Sequence, residues 1–334
     1  MADTTGRSLT YGEVLTAAVL LGRIGGACFS LPGERSSPEM VGVLLPSTVA
    51  GALVNLSLTL RGAVPVNLNF TAGADAMQSA IEQCGISTVI TSRAFLAKAK
   101  IQPLPGTVYI EDLLKSATPA AKLRAYLAAR FAPAALLSPG GRTPDSLAAV
   151  IFSSGSTGVP KGVMLSHYNV MSNIDAIAQL FWINSSDRIV GVLPFFHSFG
   201  FTVTIWFPLL AGCGVVYHPN PTDARAIGEM VQQHKATLLL TTPTFCGTYI
   251  RKCAAEEFAS LRYVLVGAEK LRQPIADGFR EKFGVPLLEG YGCTEMSPVV
   301  AVNVPDFSAG KDTQTGNKAG TVGHPLPGVA ARIV

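Results

Sequence analysis

Ten residues near the middle of the chain concentrate anion-binding groups: Ser153-Ser154-Gly155-Ser156-Thr157-Gly158-Val159-Pro160-Lys161-Gly162. Glycines let backbone N–H groups turn toward an anion, the serine and threonine hydroxyls add donors, and the lysine supplies charge. The pattern predicts a loop that grips phosphate. It is not the G-x-x-x-x-G-K-[ST] loop of nucleotide hydrolases, because Pro160 precedes the lysine and Gly162 follows it. The apolar runs on both sides read as strands, so no helix dipole helps to hold the phosphate. The bland alternative is a polar hairpin loop with no ligand.

A second set of candidates is Tyr291-Gly292-Cys293-Thr294-Glu295. A tyrosine face stacks on a purine, a threonine hydroxyl donates to phosphate, and Mg2+ is satisfied by a single carboxylate beside phosphate and water. Taken alone, the segment reads equally well as a turn at a strand end. His197 follows Phe195-Phe196 and precedes Ser198, and a lone histidine in an apolar run is usually a core residue. Nearby, Phe199, Phe201, Trp206 and Phe207 would either line a tunnel for an apolar chain or fill the core.

The elements that must position these residues follow an alternating pattern. Short β-rich apolar runs alternate with helical periodicity, which predicts an α/β fold of mostly parallel sheets flanked by helices. Strands are expected at 41–45, 64–66 and 88–90, then at 148–152, 162–165, 188–192, 214–217, 237–240, 263–266 and 285–289. Helices are expected between most of them, the one after Pro46 capped by Ser47 and stopped by Arg61-Gly62. An Ala- and Pro-rich segment, Lys115–Asp145, separates the two series, so the expected division is a first subdomain at 1–145 and a second at 146–334. Within that segment, 121–131 reads as a basic amphipathic helix with Lys122, Arg124 and Arg130. It is either a solvated connector or a contact with a membrane surface or an acidic partner. The end, Arg332-Ile333-Val334, reads as a strand cut short, as in a fragment of a longer chain.

Composition narrows the classes. Charged residues are only 14% of the 334, yet neither apolar stretch, 41–60 or 189–216, is a clean run of the roughly 20 residues a spanning helix needs. The N-terminus lacks the basic-then-apolar layout of a secretory signal. A net charge of +4 without a long Lys/Arg block argues against nucleic acid. Cysteines 28, 84, 213, 246, 253 and 293 show no C-x-x-C spacing, which fits a reducing cytosol and neither a metal site nor a disulfide scaffold.

Several segments, in order, resemble motifs of the acyl-adenylate-forming (AMP-binding) superfamily. Beside the loop at 153–162, these are Leu9-Thr10-Tyr11-Gly12-Glu13, Leu60–Val66, Leu193–Gly200, Gly267-Ala268-Glu269, Tyr291–Glu295, and Ala319–Gly323 with Pro325–Gly328. Within that superfamily, Val302–Pro305, Leu261–Leu271, Leu288–Gly292 and the stretch after His197 resemble the acyl-[acyl-carrier-protein] synthetase part of a bifunctional 2-acylglycerophosphoethanolamine acyltransferase. Amino-acid-activating members usually carry Asp where this chain has His197, which points away from an amino acid and toward a carboxylic acid with an apolar tail.

The resemblance implies a ligase that activates a fatty acid with ATP as acyl-AMP, then passes the acyl group to acyl-carrier protein or coenzyme A. It implies that Ser153, Ser154, Gly155, Ser156, Thr157, Gly158 and Lys161 hold phosphates, and that Gly267, Ala268, Glu269, Gly290, Tyr291 and Gly292 hold adenosine. Thr294 goes to the α-phosphate, Glu295 to Mg2+ and His197 to the carboxylate end. Cys293 occupies the variable position of its motif and reads as packing. The family's following T-G-D motif and small C-terminal lid do not occur, nor does an upstream acyltransferase domain. The expectation is therefore a cytoplasmic polypeptide that adenylates weakly or not at all, or a non-catalytic nucleotide- or acyl-binding module. The parent protein would associate peripherally with the inner face of the membrane through further domains.

Overall fold

The computed structural model describes residues 1–26, 38–137, 142–153, 160–310 and 312–332. In chain order the strands are β1 (Ala2–Asp3), β2 (Met40–Leu44), β3 (Val64–Asn67), β4 (Val89–Thr91), β5 (Thr107–Tyr109), β6 (Leu147–Ser153), β7 (Lys161–Ser166), β8 (Arg188–Gly191), β9 (Gly214–Tyr217), β10 (Leu238–Thr241), β11 (Tyr263–Val266), β12 (Leu287–Gly292), β13 (Val299–Val302), β14 (Phe307–Ala309), β15 (Asp312–Gln314) and β16 (His324–Pro325). The helices are α1 (Tyr11–Gly25), α2 (Val49–Arg61), α3 (Ala74–Cys84), α4 (Arg93–Ala99), α5 (Ile110–Ser116), α6 (Pro119–Phe131), α7 (Ala134–Leu137), α8 (His167–Ala178), α9 (Ser198–Gly200), α10 (Phe207–Ala211), α11 (Ala224–His234), α12 (Pro243–Lys252) and α13 (Gln273–Phe283). No helix among the described residues is long and apolar enough to cross a membrane.

Contacts divide the chain into two compact units. The first holds Met1, Arg7–Tyr168 and Phe195–His197. Among its described residues, six strands pair in the order β5-β4-β2-β3-β6-β7, parallel except for the final β6–β7 pair. The division expected at 145/146 precedes that strand pair, whereas this unit runs on through it to Tyr168. Local signals set the helix ends. Thr10 and Glu13 form a capping box that starts α1. The start of α2 lies one residue later than expected, so Thr48 caps it and not Ser47: the Thr48 hydroxyl accepts from the Gly51 N–H at 3.3 Å. Gly62 ends α2 with φ +92°, a left-handed conformation that glycine adopts without strain. The core gathers around Leu44, Val66, Leu68, Val89 and Val150.

The second unit holds Ala2–Gly6, Asn169–Pro194 and Ser198–Val334. Its described strands pair in the order β1-β9-β8-β10-β11-β12-β13-β16, parallel from β1 through β12 and antiparallel at β12–β13 and β13–β16. In this unit β1 and β13–β16 fall outside the strands expected from the sequence, as does the π-helical stretch Phe201–Trp206 that joins α9 to α10. Pro208 explains that stretch. It has no N–H for the Thr204 carbonyl four residues back, and the Tyr217 hydroxyl donates to that carbonyl at 2.7 Å instead. Arg332 is in no strand, and Ile333 and Val334 lie outside the described residues.

Candidate active site

In the first unit, β6 and β7 carry the two ends of the phosphate-binding candidate. Their antiparallel register sets Ser153 opposite Lys161 and Phe152 opposite Gly162. A Cβ at 162 would lie 3.1 Å from the Phe152 ring, so glycine lets the strands close beneath the loop. Gln83 of α3 donates to the Pro160 carbonyl at 3.1 Å and ties down the β7 side. Ser153 is half-buried and Lys161 exposed. Ser154, Gly155, Ser156, Thr157 and Gly158 lie outside the described residues.

His197 ends the Phe195–His197 segment of the same unit. Phe195 is buried against Gly51 at the start of α2, and Phe196 meets Phe70 edge-on with ring centroids 5.1 Å apart. These aromatics anchor the backbone that presents His197. The His197 ring reaches solvent, yet enough protein surrounds it that desolvation holds its pKa below the ordinary imidazole value. It is therefore mostly neutral at pH 7, able to donate from one ring nitrogen and accept at the other.

In the second unit, the spatial order of successive strands reverses at β8: the chain passes to β9 on one side and then to β10 on the other. Parallel sheets bind ligands beyond the carboxyl ends of strands at such a reversal. The segments of this unit delivered there are 192–194 and Ser198 after β8, Gly267-Ala268-Glu269 after β11 and Gly290–Glu295 at the end of β12. Ser198 and Thr294, 96 positions apart, bring their hydroxyls to 3.3 Å. This bond joins the β8 and β12 segments, and no local pattern announces it.

The backbone is shaped for close approach at the remaining positions. Gly292 is packed so tightly that a Cβ would sit 2.2 Å from the Pro298 carbonyl oxygen. Beyond it, Thr294–Met296 forms a short 3-10 turn, closed by the Ser297 N–H donating to the Thr294 carbonyl at 3.1 Å. Gly290 and Tyr291 lie on β12, and Tyr291 leaves half of its surface open. Ala268 has φ +67°, a left-handed conformation that costs any residue with a Cβ and so marks a constrained position. Beside it, the Thr244 hydroxyl donates to the exposed Glu269 carboxylate at 2.5 Å. Burial, then the Glu295 charge, raises the Cys293 thiol above its ordinary pKa, which keeps it protonated and fits packing.

An apolar cavity of about 30 Å3 lies in the same unit, and every side chain lining it is hydrophobic, among them Phe181, Phe199, Val203, Phe207, Leu265 and Val299. Phe199 and Phe207 thus face a cavity. Phe201 does not: it is fully buried and packs edge-on against Trp206 at 5.9 Å. Two residues that sequence reasoning left without a role also support the site. Asn303 donates to the carbonyls of Glu289 at 3.0 Å and Thr321 at 2.6 Å, tying β12 to the Ala319–Gly323 motif. Glu289 is buried and accepts from the Leu271 N–H at 2.9 Å.

Among the described residues no three His, Cys, Asp or Glu side chains come together as a metal site. Mg2+ does not require one, since it is commonly held by one or two carboxylates together with substrate phosphates. The exposed carboxylate of Glu295, on the turn after Thr294, fits that demand.

A family model described as AMP-binding enzyme matches residues 2–334. The chain is 34% identical over 193 residues to a probable 4-coumarate–CoA ligase 3 of Dictyostelium discoideum, covering 56% of this chain and 33% of that protein. It is 24% identical over 359 residues to a long-chain-fatty-acid–CoA ligase of Bacillus subtilis (strain 168), covering 98% and 61%. It thus spans one third to three fifths of the length of these curated relatives. The o-succinylbenzoate CoA synthetase of Bacillus subtilis, solved with its acyl-adenylate intermediate, superposes with a TM-score of 0.78 at 22% identity, over 97% of this chain and 61% of that one.

Proposed function

The chain belongs to the AMP-binding enzyme family, and from that premise we propose that it supplies nucleotide- and acyl-binding residues of a ligase that activates a fatty acid as acyl-AMP for transfer to a phosphopantetheine thiol. One observation carries the acyl class. Phe199, the residue after Ser198, lines the wholly apolar cavity, and the Ser198 hydroxyl meets Thr294. A polar contact and an apolar slot at consecutive residues suit a molecule with a charged head and a greasy tail.

In the first step a carboxylate oxygen of the acid attacks the α-phosphorus of ATP. The new O–P bond forms as the bond to the bridging oxygen breaks, and pyrophosphate leaves. A thiolate sulfur, its proton lost to solvent, then bonds to the acyl carbon as the acyl C–O bond breaks, and AMP departs with that electron pair. The protein contributes placement and charge neutralisation. Ser153, Ser154, Gly155, Ser156, Thr157, Gly158 and Lys161 take the β- and γ-phosphates, and Thr294 donates to the α-phosphate. Gly267, Ala268, Glu269, Gly290, Tyr291 and Gly292 hold the adenosine, with the Tyr291 face on the base. Neutral His197 orients the carboxylate without a fixed positive charge that would blunt its nucleophilicity. Glu295 would hold Mg2+, which when bound neutralises charge on the phosphate oxygens.

For the acceptor, the motifs around His197 and Leu261–Leu271 favour acyl-carrier protein, as in the acyl-[acyl-carrier-protein] synthetases they resemble. Coenzyme A is the second reading, favoured by the two curated relatives, both named as CoA ligases. Binding of a non-hydrolysable fatty-acyl sulfamoyl adenosine, with fatty-acid-dependent ATP–pyrophosphate exchange, tests the activation step. Binding far tighter than AMP is expected. ATP hydrolysis indifferent to fatty acid, with no preference for the acyl analogue over AMP, would sink the reading. Comparing holo-acyl-carrier protein with coenzyme A in the second step separates the two acceptors.

A further inference from the structure

Helix α6 buries its small residues and displays its large ones. Ala125 is fully buried, with Ala121, Ala128 and Ala129 half-buried around it, and this alanine face packs on α1. At about 100° per residue, Leu123 and Leu127 stand opposite Ala125, with Tyr126 and Phe131 on their flanks. All four are exposed, Leu123 by 59% and Phe131 by 73%. Further along the chain, Leu136 of α7 is 76% exposed. Ordinary helices on a domain surface turn such residues inward.

The charges are as one-sided as the apolar face. From Leu113 to Pro144 there is no Asp or Glu, while Lys115, Lys122, Arg124, Arg130 and Arg142 all fall there. Arg142 is engaged, donating to the Thr59 carbonyl at 2.6 Å. The other four are exposed. Lys122 and Arg124 border the apolar stripe and Arg130 lies beside Leu123 and Leu127 on the same wheel.

We propose that the outward face of α6 seats this protein on the surface of an anionic lipid bilayer. Large apolar side chains edged with bases, on a helix held to its domain through alanines, have the chemistry of an interfacial helix: the stripe enters the headgroup boundary and the bases meet lipid phosphates. A second copy fits poorly, because a two-fold contact through this face would set bases against their own equivalents. The inference stands on α6 alone and does not depend on the ligase reading.

Flotation of the 334-residue chain with vesicles tests it. Binding to phosphatidylcholine–phosphatidylglycerol vesicles is expected at low salt, with much weaker binding to phosphatidylcholine alone and release by molar salt. Each base near such a surface contributes about fivefold, so Lys122→Gln/Arg124→Gln/Arg130→Gln should weaken binding by on the order of 100-fold. Leu123→Gln/Leu127→Gln/Phe131→Gln should also lose binding, with thermal unfolding close to wild type because these side chains are already solvated. The proposal is overturned if wild type ignores anionic vesicles, or if both variants bind as wild type does. Capture by polyglutamate but not by vesicles would replace it with an acidic partner, and self-association abolished by the apolar variant would replace it with a homodimer.

Discussion

Replacing Gly292 by alanine should damage both stability and nucleotide binding, whereas the same change at Gly290 should leave stability nearly unchanged. At 292 the added Cβ would sit 2.2 Å from the Pro298 oxygen and 2.9 Å from its carbonyl carbon. Ordinary contact begins near 3.4 Å, so that carbonyl must retreat by about 1 Å. It also accepts from the Cys293 N–H at 2.9 Å, and retreat breaks that bond. Overpacking costs roughly 1–3 kcal/mol and a lost hydrogen bond roughly 0.5–1.5 kcal/mol, so a loss of about 2–4 kcal/mol is expected. At 290 the tightest approach is 3.2 Å to the Ala301 oxygen, which a few tenths of an ångström relieves, at a cost below about 1 kcal/mol. Since the same strain shifts the turn bearing Thr294 and Glu295, Gly292→Ala should weaken the fatty-acyl sulfamoyl adenosine by about tenfold or more, equivalent to 1.4 kcal/mol. Urea titrations and calorimetric binding measure the two effects. Equal stability of the 290 and 292 variants, with the affinity of Gly292→Ala unchanged from wild type, would show that the Gly292–Pro298 contact does not set the turn.

Val203→Phe should fill the apolar cavity, weakening long-chain acyl analogues by about fourfold for each methylene excluded while leaving AMP affinity unchanged; parallel titrations of both ligands decide it. Thr294→Val should lower kcat/KM for adenylation by about 10- to 150-fold, the worth of a hydrogen bond to a charged group, with Thr294→Ser retaining most activity. In pH dependence, desolvation lowers the pKa of His197, and of His167 and His234, where Arg142 and Arg188 respectively add to the effect. A folded-state pKa below the unfolded value of about 6.5 means that stability is fully present above that pH and declines as pH falls toward the folded values. Urea midpoints should therefore drop below about pH 6.5, and by less in His197→Gln; a midpoint that rises on acidification refutes this account.

Much of this architecture is legible in the sequence, because local signals agree with the tertiary result. Thr10 with Glu13, Gly62, and Thr242 before Pro243 each mark a helix end by chemistry that acts within four residues. The parallel strands announce themselves as apolar runs because both faces are covered. What was not legible depends on distant partners. The Ser198–Thr294 contact spans 96 positions, and the π-helical stretch requires the Tyr217 hydroxyl to claim a carbonyl that Pro208 leaves open. Phe199 and Phe201 carry the same side chain two residues apart, and only packing sends one to the cavity and the other to the core. The shift of the α2 cap from Ser47 to Thr48 is of another kind, since adjacent hydroxyls are similar as caps and local chemistry does not choose between them.

The left-handed backbone at Ala268 has a genetic side. Alanine and glycine codons differ by one base, and glycine would relieve the roughly 1–2 kcal/mol that a Cβ costs at φ +67°. The relaxed backbone is thus a single mutational step away. Under the proposed adenosine-binding role of Ala268, a library randomised at that codon should split when sorted separately for binding of the acyl analogue and for stability, with glycine enriched only in the second sort.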